Sequence, residues 1–448
     1  MKKLPRSFAG GVHPPHHKKY TEKLAIRTAR EPELVVIPLV QHLGAPCEPM
    51  VKAGEPVDVG QRIGEASAFV SAPVHASVSG KVMKVEPRLH PALGKPVPSV
   101  VIESDGENRW HESIEPRAVE DLTPEEIVKT MRDAGLVGLG GAAFPTAVKF
   151  SPPKEKPIDT LLLNGAECEP FLTADHRLML EGAEDIVAGM RAMMRALGVT
   201  RGLVCIEDNK PDAQQTMEKV LQHESEIELV SLKTQYPQGS EKQLIKAALN
   251  REVPPPPGLP MDVGVVVSNV GTAFALAQAF KTGMPLVERV VTVTGPAIEE
   301  PANLLVKIGT LFSHLIHECG GYKEEPHKLI MGGPMMGIAQ FSTEVPVIKG
   351  TSGILALGEK DARELEATAC IKCGRCVDVC PMQLVPALIS AYAEREWYDK
   401  TEELHAADCV ECGSCSFICP ARRPLVQAIR MAKHHVMAER RKRQAAST

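Results

Sequence analysis

The chain has 448 residues, which is long enough for several domains of about 100–200 residues each. A hydrophobic content of 44% can build ordinary cores, whereas an aromatic content of 4% disfavours a stacking surface for single-stranded nucleic acid. The formal net charge of −5 also argues against a nucleic-acid-binding protein. The first 20 residues lack the apolar core of a signal peptide, and we expect a soluble protein on the cytoplasmic side.

A polar N-terminal segment, residues 1–30, precedes a region of short strands and turns at residues 31–115. The run VKAGEPVDVGQRIGEA, followed by VSAPVHASVSGKV, resembles lipoyl- and biotinyl-type barrel-sandwich domains. In those domains a hairpin lysine carries the cofactor, but the corresponding residues 67–71 contain no lysine. The resemblance therefore predicts a structural barrel-sandwich module without a swinging arm.

A glycine-rich loop, GLVGLGGAAFPTAVKF, covers residues 135–150. Dense glycine lets backbone amides approach a phosphate or a flat ring, and Lys149 is a plausible phosphate partner. The loop matches neither the nucleoside-triphosphate loop nor the G-x-G-x-x-G fingerprint that follows a strand. On the motif alone, a simple glycine-rich turn is the alternative interpretation.

Strand-like and helix-like segments alternate between residues 158 and 250. Strands are expected at 158–164, 203–207 and 226–232, and each precedes a predicted helix, at 174–197, 212–223 and 240–250. This alternation predicts a parallel α/β sheet, in which ligands lie beyond the carboxyl ends of the strands. The proline run at 254–257 predicts a stiff linker that ends a domain covering residues 120–256.

Residues 257–345 predict a small mixed α/β module, with strands at 263–267, 288–294 and 328–331. The longest uncharged stretch of the chain, residues 263–280, falls in this module and contains polar residues and two glycines. It therefore predicts a buried strand–turn–helix unit better than a membrane span.

From about residue 355 the pattern is helical, and residues 355–425 carry two copies of the spacing Cys-x2-Cys-x2-Cys-x3-Cys-Pro. Bacterial ferredoxins with two [4Fe–4S] clusters have this spacing. Four-cysteine zinc sites instead use two pairs separated by a longer loop, so the pattern favours iron–sulfur clusters. The eight predicted ligands are Cys370, Cys373, Cys376 and Cys380 in the first copy, and Cys409, Cys412, Cys415 and Cys419 in the second.

The ferredoxin rule assigns the fourth cysteine of each copy to the other cluster. One cluster would take Cys419 together with the first three cysteines of the first copy, and the other would take Cys380 together with Cys409, Cys412 and Cys415. This exchange requires the 28 residues between Cys380 and Cys409 to fold back as a helical hairpin. Gly374 and Gly413 occupy matching places, where the backbone can approach a sulfide without a Cβ in the way.

The C-terminal tail is basic. Residues 421–448 carry eight Lys or Arg residues and one Glu. The cluster Arg440, Arg441, Lys442 and Arg443, within the tail segment 426–448, would suit anionic lipid or an acidic partner. A solvated helix end explains the same residues equally well.

Four segments resemble the flavin- and NADH-binding elements of the complex I 51-kDa subunit family: GLVGLGGAAFPTAVKF, LLLNGAECEP, YPQGSEKQL and VVVSNVGTAFAL. The resemblance implies FMN as cofactor and NAD(H) as substrate, with Phe144 as a wall of the pocket and Glu169 near the ribose or carboxamide. The chain departs from the family pattern at Leu139, where the family has an arginine between the loop glycines, and at Ala166, Ser240 and Ser268. The matching positions are Gly138, Gly140, Gly141, Phe144, Lys149, Asn164, Glu167, Glu169, Tyr236, Glu241, Asn269 and Thr272.

Nearly the whole chain, from FAGGVHPPHHK near its start to the two ferredoxin motifs, resembles the C-subunit family of Rnf-type ion-translocating electron transport complexes. The resemblance implies a multidomain α/β and α+β fold. It has a barrel-sandwich domain, a Rossmann-like parallel α/β domain for FMN and NADH, a β-grasp-like SLBB module and a helical two-cluster ferredoxin domain. It also implies a peripheral subunit on the cytoplasmic side of the inner membrane, with a ferredoxin-like B subunit among its partners.

Three functional hypotheses follow. The first is an electron-transfer subunit of an ion-translocating ferredoxin:NAD oxidoreductase, which links NAD(H), FMN and two [4Fe–4S] clusters. The second is a diaphorase subunit of a soluble hydrogenase or formate dehydrogenase. The third is a cluster-bearing adaptor without flavin. The barrel-sandwich region and the basic tail favour the first hypothesis.

Overall fold

The computed structural model of the protein describes residues 6–362 and 366–447. This part of the chain forms four β-sheets followed by a helical C-terminal region. None of its helices is both long and apolar enough to cross a membrane. Five short 3-10 turns connect the larger elements, at Lys18–Tyr20, Val119–Asp121, Leu221–His223, Pro260–Val263 and Ala406–Asp408.

The N-terminal region contains eight strands: β1 (Ile26–Thr28), β2 (Leu34–Pro38), β3 (Glu48–Pro49), β4 (Pro56–Val57), β5 (Arg62–Glu65), β6 (Val74–His75), β7 (Gly80–Leu89) and β8 (Pro96–Ser104). Strands β2 to β8 form two antiparallel sheets, in the orders β2-β8-β7-β4 and β3-β5-β6. Both sheets contribute buried aliphatic side chains to one shared core, including Ile37, Ile63, Val74 and Ile102. The shared core makes the two sheets a single sandwich.

The second region is a parallel sheet covered by helices. Its elements are α1 (Pro124–Asp133), α2 (Thr146–Lys149), β9 (Thr160–Gly165), α3 (Ala174–Glu181), α4 (Ala183–Leu197), β10 (Gly202–Glu207), α5 (Pro211–Val220), β11 (Ile227–Leu232), α6 (Glu241–Leu249), β12 (Val265–Asn269) and α7 (Val270–Thr282). All neighbours in the order β11-β10-β9-β12 are parallel. The predicted parallel α/β sheet is confirmed.

In the structure, the parallel domain extends beyond the predicted domain boundary between residues 256 and 257. Strand β12 pairs with β9 in this sheet, and α7 packs on α4, so the parallel domain continues past the proline run to residue 282. The uncharged stretch 263–280 thus forms a strand followed directly by a helix, as its polar residues and glycines predicted. The predicted helix 174–197 is divided at Gly182 into α3 and α4.

A mixed six-stranded sheet forms the third region. Its own elements are β13 (Glu288–Thr294), β14 (Ala302–Lys307), α8 (Phe312–Glu318), β15 (Lys328–Met331), β16 (Ile338–Gln340) and β17 (Gly353–Leu357). The strand order is β1-β14-β13-β17-β15-β16. Two strands lie outside the predicted range 257–345. Strand β1 comes from the N-terminal segment, and β17 lies where a helical pattern was predicted from residue 355. Strand β17 is fully buried between β13 and β15, so tertiary pairing determines its conformation.

The C-terminal region consists of α9 (Glu359–Ala362), α10 (Arg375–Asp378), α11 (Pro386–Ala393), α12 (Tyr398–Glu403), α13 (Ser414–Ile418) and α14 (Leu425–Ser447). Helices α11 and α12 form the hairpin that the exchange of cysteines requires between residues 380 and 409. Helix α14 packs against both of them, and its Leu425, Ile429 and Ala432 share a buried core with Ile389. The cysteine loops are therefore part of a small helical domain.

Candidate functional site

The glycine loop lies over the junction between β12 and α7. The Leu139 backbone N–H donates to Thr272 Oγ1 at 2.9 Å. A Cβ built on Gly140 would lie 3.6 Å from the Asn269 side chain, so this glycine is in close contact with the end of β12. The Asn269 side chain caps α7 by accepting from the Gly271 N–H at 2.8 Å. The first and fourth sequence elements thus meet at the carboxyl end of β12.

The loop folds back on itself below an exposed tip. The Gly138 N–H donates to the Phe144 carbonyl at 2.9 Å, and Phe144 is half-buried. Gly140 and Gly141 are exposed, and a Cβ on Gly141 would meet nothing within 4 Å. Gly141 has a φ of 112°, which only glycine adopts without strain. The tip therefore presents bare backbone, as an approaching phosphate or ring requires.

The second and third elements meet at the carboxyl end of β9. The Asn164 side chain donates to the Gly239 carbonyl at 2.9 Å and accepts from the Ala166 N–H at 3.1 Å. The Gly239 N–H in turn donates to Cys168 Sγ at 3.3 Å. All four elements are therefore grouped at one edge of the parallel sheet, where open α/β sheets bind their ligands.

Lys149 and Glu241, both expected to bind cofactor, are paired with each other. Lys149 Nζ lies 2.8 Å from Glu241 Oε1 and donates to the Val267 carbonyl at 3.0 Å. Both side chains are partly exposed. In this arrangement, the two residues tie α2 to the start of α6.

Glu167 is placed as a structural cap. Its φ is 45°, and its carboxylate accepts from the backbone N–H groups of Asp175 at 2.7 Å and His176 at 3.2 Å. These donors form the N-terminus of α3. Lys18 Nζ lies 3.8 Å from the same carboxylate and donates to the Glu167, Glu169 and Leu172 carbonyls. Lys18 was not among the predicted site residues, although it ends the conspicuous N-terminal run HPPHHK.

Glu169 connects the parallel domain to the third region. Its carboxylate accepts from the backbone N–H groups of Met335 at 3.0 Å and Met336 at 2.8 Å. Burial raises the pKa of Glu169 to about 7, against the opposing effects of these donors, of Lys18 and of Tyr236. The residue predicted to hold the nicotinamide side is thus already bound to the turn that contains Met335.

Tyr236 lies at the contact between the parallel domain and the cysteine region. Only 2% of its surface is exposed, and its hydroxyl donates to the Cys412 carbonyl at 2.9 Å. Tyr236, Cys412 and Val12 form one buried cluster, with Cys168 and Met335 packed against it. One of the two cysteine loops therefore packs directly on the flavin-type sequence elements.

The N-terminal segment passes between these two parts. The Gly11 N–H donates to the Val379 carbonyl at 2.8 Å, and the Val12 N–H donates to the Tyr236 carbonyl at 2.8 Å. A Cβ on Gly11 would lie 2.7 Å from the Tyr236 carbonyl oxygen, so only glycine fits there. The FAGGVHPPHHK run thus ties the cysteine region to the parallel domain.

Gln238 is a residue that the sequence analysis missed. Its side chain is fully buried, yet neither its amide nitrogen nor its amide oxygen has a hydrogen-bond partner within residues 6–362 and 366–447. A buried polar group of this kind is expected to bind a ligand or an ordered water. Its position between Tyr236 and Gly239 in the third element was the signal available in the sequence. The exposed glycine tip and this unpaired amide fit a bound flavin.

The two cysteine loops have the same backbone conformation. Lys372 and Glu411 both have a φ of 57°, and Gly374 and Gly413 have φ values of 77° and 79°. Each loop leads into a short helix, α10 or α13. Backbone N–H groups donate to sulfur in both loops, at 3.4 Å for Cys370 and 3.3 Å for Cys409. The sequence repeat is therefore also a repeat of backbone conformation.

The fourth cysteines lie beside the opposite loops. Burial and, to a smaller extent, the nearby thiols of Cys409, Cys412 and Cys380 raise the pKa of Cys415 to about 12. For Cys376, burial again raises the thiol pKa most, and Cys419 and Cys373 add to the increase. Cys380 thus accompanies the second loop and Cys419 the first, as the ferredoxin rule predicts.

Part of the basic tail is paired. Arg440 Nε and a terminal nitrogen of Arg443 each lie 2.7 Å from the carboxylate of Glu402 on α12. Lys442 pairs with Glu439 one turn earlier, at 2.7 Å. These contacts support a helix end that is held on the helical domain.

Family models match the chain in four consecutive segments. Residues 6–107 match the RnfC barrel sandwich hybrid domain, and residues 131–278 match the Nuo51 FMN-binding domain. Residues 290–339 match the SLBB domain, and residues 369–422 match the 4Fe-4S dicluster domain. The predicted order of domain types is confirmed.

Curated relatives resemble the chain over nearly its full length. The C subunit of the Na(+)-translocating ferredoxin:NAD(+) oxidoreductase complex of Acetobacterium woodii is 51% identical, over 97% of this chain and 98% of the relative. The C subunit of the proton-translocating ferredoxin:NAD(+) oxidoreductase complex of Clostridium ljungdahlii is 49% identical, over 96% and 93%. The chain belongs to the family of C subunits of Rnf-type ion-translocating oxidoreductase complexes.

More distant matches extend the comparison. The C subunit of the ion-translocating oxidoreductase complex of Rhodobacter capsulatus is 46% identical over 86% of this chain and 74% of the relative. The solved structure of an NAD+-reducing [NiFe]-hydrogenase in the air-oxidised state matches at 20% identity and a TM-score of 0.47, over 63% of this chain and 54% of that one. The family membership and the two cofactor-domain matches confirm FMN and two [4Fe–4S] clusters as the cofactors.

Proposed function

We propose that the chain is the electron-transfer subunit of a membrane-bound ion-translocating ferredoxin:NAD oxidoreductase complex. It would exchange electrons with NAD(H) at a flavin and with a further subunit at its clusters. Its place would be peripheral, on the cytoplasmic side of the membrane, with the ferredoxin-like B subunit among its partners. Family membership supports the complex, and the hydrogen bond from Tyr236 to the Cys412 carbonyl carries the electron-transfer role.

That hydrogen bond matters because it joins the two halves of the chemistry. FMN, when bound, takes a hydride from NADH as two electrons and releases them singly to iron–sulfur clusters. The residues of the flavin-type elements and the cysteines of the second loop share one buried cluster around Tyr236. Direct packing of this kind excludes water and keeps the distance between the two sites short. The second loop is therefore the nearer of the two to the flavin-type elements.

The flavin site would use the residues grouped at the carboxyl edge of the parallel sheet. The exposed backbone of Gly140 and Gly141 and the unpaired amide of Gln238 would bind the cofactor. Asn164, Asn269 and Thr272 hold the loop and strand ends in place through the contacts described above. NAD(H) would then approach from the exposed side of the glycine tip, near Phe144.

The clusters would be bound by two groups of four cysteines. We define the inner group as Cys380, Cys409, Cys412 and Cys415, and the outer group as Cys370, Cys373, Cys376 and Cys419. Cys412 and Cys415 are each 8% exposed, whereas Cys370 and Cys373 are exposed, with Ile371 between them 66% exposed. The outer group therefore offers the surface at which electrons would pass to or from the neighbouring subunit.

Chemical analysis of the anaerobically purified chain tests the proposal. We expect about eight irons, about eight sulfides and one FMN per chain. NADH should bleach the flavin and reduce the clusters in the same preparation. The Cys205→Ala variant is a matched control, because Cys205 is a buried cysteine outside both loops, and it should retain all the iron. Eight irons without flavin would instead support the adaptor hypothesis and contradict the NAD(H) role.

A further inference from the structure

Arg289 is a buried arginine that contacts the glycine loop from a different domain. It lies at the start of β13 in the six-stranded sheet, and only 6% of its surface is exposed. Its guanidinium donates to three carbonyl oxygens, those of Lys349, of Val290 at 3.3 Å and of Leu139 at 3.3 Å. Leu139 is the residue between the loop glycines Gly138 and Gly140. A positive charge is therefore supplied to the same loop from the neighbouring sheet.

The charge of Arg289 is only partly offset. No carboxylate within residues 6–362 and 366–447 forms an ion pair with its guanidinium. Burial lowers the pKa of Arg289 to about 10, and the nearby Asp175 opposes the change, so the side chain stays charged at neutral pH. Burial and the charge of Glu167 raise the pKa of Asp175 itself to about 7. The back of the glycine loop is thus a site of buried positive charge, which favours electron-rich groups in front of it.

The Leu139 carbonyl belongs to the same peptide group as the Gly140 N–H. In a planar trans peptide these two groups point in opposite directions. Arg289 binds the carbonyl on the inner side, so the Gly140 N–H points outward, towards the exposed tip. Neither Gly140 nor Gly141 has an acceptor for its N–H in the described parts of the chain. A charged donor on the carbonyl also polarises the peptide and makes its N–H a stronger donor.

The two peptide groups that flank Leu139 are both held by hydrogen bonds to other elements. Its N–H donates to Thr272 Oγ1 at 2.9 Å on α7, and its carbonyl accepts from Arg289 on β13. Lys349 holds the first residue of the loop in a similar way, donating to the Gly135 carbonyl at 2.7 Å and the Pro73 carbonyl at 2.9 Å. Two buried basic side chains from the six-stranded region, Arg289 and Lys349, therefore fix the loop before any ligand arrives, which lowers the entropic cost of binding.

We propose that Arg289 is a positioning residue for the flavin, which orients and polarises the Gly140 N–H towards an electron-rich acceptor atom of the cofactor. This role rests on the proposed function, because it requires FMN at the glycine loop. It makes the six-stranded SLBB region a part of the flavin site. Its buried charge also favours the reduced flavin, which is the more electron-rich form.

The first test compares FMN affinity in Arg289→Gln with that of the wild-type chain, by flavin fluorescence titration of the deflavinated protein. Loss of one charged hydrogen bond should weaken binding by roughly tenfold or more. The variant flavin should also be harder to reduce, so a smaller fraction is reduced at a fixed NADH to NAD+ ratio. Lys307→Gln is the control. It removes a cation on the opposite face of the same sheet and should leave both quantities unchanged.

Two further variants keep the proposal testable if Arg289→Gln does not fold. Gly140→Pro removes the N–H of an exposed residue and also restricts the backbone of residues 139 and 140, so it should weaken FMN binding at least to a similar extent. Arg289→Lys keeps a positive charge at the same position, and it should retain part of both affinity and reduction. Unchanged affinity in Gly140→Pro, or in a folded Arg289→Gln, would overturn the role of Arg289. Failure of the wild-type chain to bind FMN would instead overturn the proposed function.

Discussion

The two cysteine loops, 370–376 and 409–415, share a sequence pattern and a backbone conformation but lie in different surroundings. The inner loop is held by donors from two other parts of the chain, Tyr236 to the Cys412 carbonyl and Lys433 on α14 to the Cys409 carbonyl at 2.7 Å. Its Glu411 also pairs with Arg430 and Lys433. In the outer loop, Cys370, Ile371 and Cys373 are exposed. The same motif is thus enclosed by other parts of the chain in one copy and exposed in the other, because its surroundings depend on what packs against it.

The largest expected effect comes from removing a ligand in each loop. Cys412→Ala and Cys373→Ala should each lose one cluster and retain about four irons. If the inner group lies nearer the flavin, NADH should still reduce the remaining cluster in Cys373→Ala but not in Cys412→Ala. Electron paramagnetic resonance after NADH addition distinguishes the two. NADH reduction of the flavin serves as the control and should persist in both. The reverse pattern would contradict the assignment of inner and outer groups.

Alanine substitutions at the two matching glycines should have the next largest effect, and this effect should differ between the two loops. Gly374 and Gly413 both have positive φ, so alanine costs roughly 1–2 kcal/mol of strain at either position. At Gly413 the new Cβ would also lie 3.0 Å from the Met335 carbonyl oxygen, whereas at Gly374 it meets nothing within 4 Å. Gly413→Ala should therefore lower the melting temperature and the iron retention more than Gly374→Ala. Equal effects would show that the contact with Met335 does not constrain the inner loop.

The contribution of Glu169 to the stability of the folded chain should depend on pH. This residue supports the inner loop through the turn at Met335 and Met336. Burial raises its pKa from 4.5 to about 7, so the folded chain keeps this proton over a window in which the unfolded chain releases it. Its contribution is fully present below about pH 4.5 and is lost as the pH rises through about 7. Over that window the slope is at most about 1.4 kcal/mol per pH unit.

Melting curves of the wild-type chain and Glu169→Gln at several pH values measure this contribution. The wild-type chain should lose stability relative to the variant as the pH rises. Glu107→Gln, which changes an exposed carboxylate of the barrel-sandwich region, should run parallel to the wild-type chain. A relative gain of wild-type stability with rising pH would mean that the Met335 and Met336 N–H donors dominate, and that the pKa is lowered.

The smallest expected effect is that of Tyr236→Phe. Loss of its hydrogen bond to the Cys412 carbonyl should cost about 1 kcal/mol of stability. It should also make the inner cluster harder to reduce, because a donor that favours added negative charge is removed. A redox titration followed by electron paramagnetic resonance should show a shift for one cluster and none for the other. A shift of both clusters, or of neither, would argue against a specific contact with the inner loop.

Much of the site could be predicted from the sequence because its signals are local. The spacing of the cysteines, the glycines at matching loop positions and the alternation of strands and helices each depend on a short stretch of chain. The helical hairpin between Cys380 and Cys409 could also be predicted, because the exchange of the fourth cysteines requires the intervening residues to fold back. The strand–helix nature of residues 263–280 was predicted as well, but its membership in the parallel sheet was not, because sheet order is a long-range property.

Long-range contacts determined the remainder. The sequence did not predict that Lys149 and Glu241 pair with each other or that Glu167 caps a helix, and their role at the cofactor stays a prediction. Gln238 and Arg289 were missed, since an isolated glutamine or arginine carries no pattern of its own.

The sequence by itself therefore determined the cofactor types, the domain types and the eight thiols. Only the tertiary structure decided which loop is inner and which is outer, and which cation lies behind the glycine loop. The physical reason is that the spacing of the cysteines depends only on residues that are close in the sequence. Burial and charge at a site arise from segments that are distant in the chain, such as Val12, Tyr236 and Cys412.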